Sequence, residues 1–173
     1  MNNDLPIRFD PVLFAKQGRT LSGEISVREM SRVATGSATS DESLAVKMSF
    51  SVSSLQFPMV KGTIAGNIVQ TCQRCLGEAQ LAIAHQFELV MINPESLSLA
   101  SKEGHEIFEY DGQFVETIAM VEDEVILTLP IVPKHENIEE CDPTARKWLF
   151  DAEHVELEQE RRNPFASLKD LKI

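Results

Sequence analysis

Cys72-Gln-Arg-Cys75-Leu-Gly77 sets two thiols two residues apart ahead of a glycine. That is the spacing of a zinc knuckle, in which both thiolates reach one metal and the glycine permits a tight turn. The second half of such a site would come from Cys141, with His135 as a further ligand. A Zn2+ site on Cys72, Cys75, Cys141 and His135 is therefore weighed against two thiols at a turn plus an unrelated third. A thioredoxin-like redox pair fits less well, because that motif opens a helix after a strand. Glu122, Asp123 and Glu124, taken with His135, are the other candidates, as ligands of a divalent metal in a nuclease site. Helix geometry opposes this, since Glu122 and Asp123 point about 100° apart. There is no GxSxG nucleophile motif. Gly62 and Gly66 lack the third glycine and the following helix of a phosphate-cradling loop.

The three acids sit on the stretch that organises the chain, FVETIAMVEDEVILTLPIVPKH from Phe114 to His135. Its periodicity predicts an amphipathic helix, with Ile118, Val121, Val125 and Leu129 in one narrow arc and Glu116 and Asp123 opposite. Glu122 projects inside the apolar arc. It must either find a cation or several donors, or sit at the wet margin of a slightly rotated helix. Arg74, between the thiols, is a candidate bidentate partner for it; facing solvent, Arg74 would instead suit a phosphate. Pro130 ends the helix and Pro133 keeps Ile131 and Val132 extended, so a short apolar strand is expected to follow rigidly.

Upstream, Asp10 and Pro11 open a short helix, DPVLFAKQ, that Gly18 stops. A strand over Leu21 to Ser26 and a second helix from Val27 to Ala34, ended by Gly36, come next. Leu44 to Val52 alternates cleanly and reads as a half-buried strand. Phe57 to Thr71 reads as a long strand with a bulge or bend at its glycines. With Leu81 to Met91 it forms a hairpin that carries Cys72 and Cys75 at its tip. His85, on the apolar side of that second strand, reads as a hydrogen-bonded core residue. Residues 93 to 104 read as a surface loop and HEIFEY as a further strand.

The chain carries 16 basic and 27 acidic residues, net −11, which argues against a surface that grips nucleic acid all over and suits a basic protein partner. Nine acids against Arg146 and Lys147 fall between residues 136 and 160, a local charge of −7. Such a run is either a solvated segment or a polyanionic arm that imitates nucleic acid. Trp148 and Phe150 interrupt it as apolar anchors. Asn163 and Pro164 begin a short closing helix that carries Phe165 and Leu168 and must dock to be stable. The N-terminus lacks a signal pattern and no apolar run reaches the ~18 residues of a membrane span, which points to the cytoplasm and reduced thiols. The expected architecture is one α+β domain over 1–135, a bent antiparallel sheet or partly closed barrel with packed helices, then an acidic arm (136–162) and a docking helix (163–173).

Four features in order, FDPVLFA, Cys72-Gln-Arg-Cys75, Val121-Glu-Asp-Glu124 leading into Leu129-Pro-Ile-Val-Pro133 and His135, and Asn163-Pro-Phe-Ala166 with Leu168, together resemble the YceD family. These bacterial and plastid proteins are named for accumulation of large-subunit ribosomal RNA. The resemblance implies a non-enzymatic, cytoplasmic factor needed for 23S ribosomal RNA to accumulate during large-subunit assembly. Its partner would be a basic large-subunit ribosomal protein or the precursor particle. The alternative is direct contact with 23S ribosomal RNA through Arg74, Lys134, Arg161, Arg162 and Lys169. Some relatives carry a second cysteine pair after the Leu-Pro-x-x-Pro strand. Here Cys141 alone stands in that region, which leaves His135 as the fourth ligand.

Overall fold

A computed structural model of the chain describes residues 5–36, 41–54, 56–94, 106–111 and 113–150, without the side chains of 148–150. The side chains of Trp148 and Phe150, together with Asn163, Pro164, Phe165 and Leu168, lie outside what is described, as do Arg161, Arg162 and Lys169. Two compact units divide the chain, Met1–Lys134 and His135–Ile173.

In the first unit, α1 (Pro11–Gln17) forms where expected: the Asp10 carboxylate accepts from the Leu13 amide, and Gly18 closes the helix in the left-handed region at φ 58°. A five-stranded sheet follows in the order β2 (Thr20–Ser26), β3 (Ser43–Val52), β4 (Pro58–Thr71), β5 (Glu78–Ile92) and β6 (Glu106–Glu109). Each of the first three pairs is antiparallel, while β6 joins the edge of β5 in parallel. The α+β class expected holds; among the described residues no strand closes the sheet into a barrel, and the parallel β6 makes mixed a sheet expected to be antiparallel. Alternation along β3 puts Leu44, Val46, Met48 and Phe50 into the core and leaves Ala45, Lys47 and Ser49 in solvent.

No bulge interrupts β4. Its register runs unbroken from Leu44↔Gly66 to Val52↔Pro58 on one side and from Met59↔Val90 to Thr71↔Glu78 on the other. The glycines have a packing role instead. A Cβ at Gly62 would overlap the Phe87 ring, which lies across the strand there, and Gly66 has φ +155° with Leu44 Cδ2 2.7 Å from where a Cβ would stand.

The expected helix from Val27 is broken in two. A 3-10 turn, Val27–Glu29, is capped by Ser26, and α2 covers Ser31–Gly36. The helix expected from Phe114 begins later, because Val115–Glu116 (β7) pairs with Arg8–Phe9 (β1) in a two-stranded ribbon. Then α3 runs from Thr117 to Thr128. Leu129 has extended dihedrals ahead of Pro130, as the proline requires, but Ile131 and Val132 form a bend and not the expected strand. Their side chains explain this: Ile131 is fully exposed and Val132 more than half, so no sheet edge takes them up. No described helix is long and apolar enough to cross a membrane.

Phe9, Phe14 and Phe50 meet with ring centroids 5.0–5.4 Å apart and join the ribbon, α1 and the sheet in one core with Val121 and Val125 of α3. The Gly62–Phe87 notch yields a direct check. Gly62→Ala should lower stability by about 1–3 kcal/mol in urea titration through overpacking. Much of that loss should return in the double variant with Phe87→Leu.

Candidate functional site

Thr117 fixes the start of α3: its amide donates to the Ile7 carbonyl (3.0 Å) and its hydroxyl to the Pro6 carbonyl (2.6 Å). That anchor sets which side chains turn inward. Met120, Val121 and Val125 are fully buried, and Glu122 and Glu124 go in with them at 5% and 4% exposure. Burial at that level removes nearly all hydration, so each carboxylate needs protein donors.

Glu122 obtains them from α2. One oxygen accepts from the backbone amides of Arg32 (2.6 Å) and Val33 (3.2 Å), the other from Arg32 Nε (2.9 Å). It therefore serves as the cap for the first turn of α2, where the helix dipole also favours a negative charge. Asp123 takes the far side of the same guanidinium at 2.6 Å, and the two carboxylates, Asp123 foremost, hold Arg32 above its ordinary pKa. The fixed ion pair considered for Glu122 thus exists, but its arginine is Arg32, not Arg74. Arg74 stays at the hairpin tip, half-buried. Glu124 bonds His85 Nε2 on β5 at 2.8 Å, and the His85 ring lies nearly parallel to Phe87 with centroids 6.1 Å apart. His85 is hydrogen-bonded as expected, though partly exposed at the margin of the core and not inside it. The acids once considered for a nuclease site thus turn to different elements, two to α2 and one to β5.

The hairpin tip closes on its own backbone: the Cys72 amide donates to the Gly77 carbonyl and the Leu76 amide to the Cys72 carbonyl, both at 2.8 Å. Cys72 is fully buried and Cys75 partly, with their sulfurs within 4.8 Å of each other. Leu76 takes φ 61°, left-handed, with its side chain 75% exposed. The Gln73 amide donates to the Pro133 carbonyl at 2.8 Å, so Pro133 acts as the point where the segment after α3 is tied to the tip.

In the second unit His135 Nδ1 stands 3.5 Å from Cys141 Sγ, and Cys141 is buried. A 3-10 turn, Ile138–Glu140, places them, and Asp142 caps α4 (Pro143–Phe150) by accepting from the Thr144 and Ala145 amides. Those amide bonds, Ala145's first, hold the Asp142 carboxyl below the usual range. The described residues thus offer two metal-competent pairs, one dithiol and one imidazole–thiol.

Arg32 and the His85–Glu124 contact were not anticipated as parts of this arrangement. The signal for the first was present: an acid inside the apolar arc of one helix, and a short helix elsewhere without a capping acid of its own.

The fold and site define an α+β domain whose acidic motif fastens α3 to α2 and to the sheet. The family described as "Large ribosomal RNA subunit accumulation protein YceD" matches residues 60–172, and the chain belongs to that family. A curated relative from Haemophilus influenzae, the large ribosomal RNA subunit accumulation protein YceD, is 28% identical over 170 residues, covering 97% of this chain and 96% of its own. The family description names an accumulation role and no reaction. No solved structure matches significantly.

Glu122→Gln, which keeps the shape but loses the charge, should cost about 2 kcal/mol, since hydrogen bonds to a charged group contribute about 1.5–3 kcal/mol. Asp123→Asn, half in solvent, should cost less than about 1 kcal/mol. Equal losses in chemical denaturation would mean that the cap on α2 is not what fastens α3.

Proposed function

We propose that this protein is a non-catalytic, cytoplasmic factor through which 23S ribosomal RNA accumulates, acting by protein contacts during large-subunit assembly. Its acidic arm would hold a basic large-subunit ribosomal protein or dock on the precursor particle. Family membership over most of the chain carries the reading. The placement of the acids supports it: Glu122, Asp123 and Glu124 are engaged inside the first unit, whereas nine acids face two cations between residues 136 and 160. A polyanion of that density complements a basic client.

Zinc belongs to the same proposal, with Cys72, Cys75, His135 and Cys141 as ligands. A tetrahedral zinc with Zn–S near roughly 2.3 Å separates its sulfurs by about 3.8 Å. Both the thiol spacing in the tip and the 3.5 Å between His135 and Cys141 suit it. Chain connectivity supports pooling them: His135 lies two residues beyond Pro133, a reach of at most roughly 7 Å from the atom bonded to the tip. When bound, zinc would act as a structural crosslink and supply no reaction. These residues would contribute the thiolates and the imidazole; the left-handed residue of the turn is Leu76 and not Gly77, where the sequence placed it.

The test is crosslinking of the tagged full chain in growing cells, with the attached protein and RNA both identified. We expect adducts mainly to one basic large-subunit protein, lost when Glu153, Glu156, Glu158 and Glu160 are changed to Gln with the cysteines left intact. Adducts confined to a ribosomal RNA region and weakened by Arg74→Ala would overturn the protein-contact reading. For the metal, elemental analysis should find one zinc per full chain, lost in Cys75→Ser with a drop in thermal midpoint. A metal-free chain of unchanged stability would exclude it.

A further inference from the structure

The hairpin tip treats its two thiols unequally. Cys72 is fully buried and held on both sides of its backbone, by its amide on the Gly77 carbonyl and by the Leu76 amide on its own carbonyl. Cys75 is partly exposed, so of the two sulfurs it is the one a solute reaches. The sulfurs lie within 4.8 Å of each other. An S–S bond is about 2.05 Å long, so closing one needs at most about 3 Å of travel, the size of one rotamer change at Cys75.

Two further observations make the tip a place where such a bond would be felt. Leu76 stands at φ 61°, while Gly77 beside it does not take a positive φ. A left-handed backbone is strained for any residue with a Cβ, and strain of this kind gathers at switch regions. Gln73, inside the span from Cys72 to Cys75, donates its amide to the Pro133 carbonyl at 2.8 Å. A disulfide would close that span into a small ring and redirect the peptide groups within it. The bond to Pro133 is thus made by the part of the tip whose backbone a disulfide changes.

We propose that the tip is a redox latch: a hydroperoxide oxidises Cys75, Cys72 closes the disulfide, and the Gln73–Pro133 bond opens, untying the segment that leads from α3 to the acidic arm. In the first step the Cys75 sulfur takes one peroxide oxygen; the O–O bond breaks, the other oxygen leaves as water, and Cys75 becomes a sulfenic acid. The Cys72 sulfur then attacks that of Cys75, the S–O bond breaks, and hydroxide leaves with the Cys72 proton as a second water. Two thiols lose two electrons and one peroxide gains them. With zinc bound as proposed above, Zn2+ leaves as its two thiolates are consumed, and solvent supplies the two protons. The release of metal rests on that reading, whereas the disulfide does not. The pair lies between β4 and β5 and opens no helix, so this is a response and not a catalytic dithiol.

The test treats the reduced, purified full chain with hydrogen peroxide in small excess, blocks the remaining thiols and digests with trypsin without reductant. Trypsin cuts between Arg74 and Cys75, so peptides 62–74 and 75–102 travel as one mass only when a Cys72–Cys75 disulfide joins them. We expect that joined mass, a fall from three titratable thiols to one, and release of zinc in step with it. Amide exchange should quicken at Gln73 and over residues 129–134, and dithiothreitol should reverse it. A disulfide that leaves this exchange unchanged would overturn the latch. So would thiols that survive peroxide sufficient to oxidise the amino acid cysteine in the same buffer, or a disulfide to peptide 135–146, which carries Cys141. A chain without zinc that gives the joined mass and the faster exchange upholds the latch and removes only the metal reading. A chain that keeps its zinc and its thiols under peroxide does the reverse.

Discussion

A carboxylate taken out of water must exchange its hydration for donors of fixed geometry, and Glu122 finds three of them within one turn of α2. Two are backbone amides that a six-residue helix cannot satisfy for itself. The requirement is mutual: α2 has no stable first turn without Glu122, and Glu122 has no tenable burial without α2. Because α3 also fills the core with Met120, Val121 and Val125, the clamp decides where the helical layer sits on the sheet. Arg32 gathers Glu122 and Asp123 on one guanidinium, and Glu124 fixes the rotation of α3 by its bond to His85. With α3 fixed, the Pro130–Pro133 segment is delivered to the hairpin tip.

Much of this was legible in the sequence where one local rule acts alone. The Asp10 cap and Gly18 stop, the alternation of β3, the long hairpin with its thiols at the tip and the proline end of α3 each follow from a single principle. What was not legible depends on pairing at a distance. Arg32 lies 90 residues from Glu122, and no periodicity relates them. The β1–β7 ribbon consumes two residues that a wheel assigns to α3. Gly62 suggested a bulge because the Phe87 ring that fills its notch sits on another strand. A hydrophobic pattern likewise gives no sign that β6 joins the sheet in parallel. For the site, the sequence supplied the four candidate metal ligands and the need of Glu122 for a cation, but misassigned that cation.

The acids of the chain fall into two populations with different physics. In the first unit's motif Glu122 and Glu124 are desolvated and held by partners of fixed geometry, which makes them structural and nearly insensitive to salt, while the half-exposed Asp123 shares the Arg32 guanidinium. Those beyond His135 are dense and weakly compensated by cations in the same stretch, so their influence reaches outward and fades as ionic strength rises. A chain that keeps the first population neutralised can carry the second without destabilising its core.

The ribbon of Arg8–Phe9 with Val115–Glu116, continued by the Thr117 bonds to Pro6 and Ile7, joins residues 6–9 to ones made more than a hundred positions later. On a translating ribosome that delay is real time, several seconds at about 5–20 residues per second. During it the β3–β5 hairpins can pair, but Arg8–Phe9 has no strand to pair with and α2 lacks its cap. The nascent domain therefore stays open at one end until α3 emerges, and closure is a single late event that secures both ends of the first unit together.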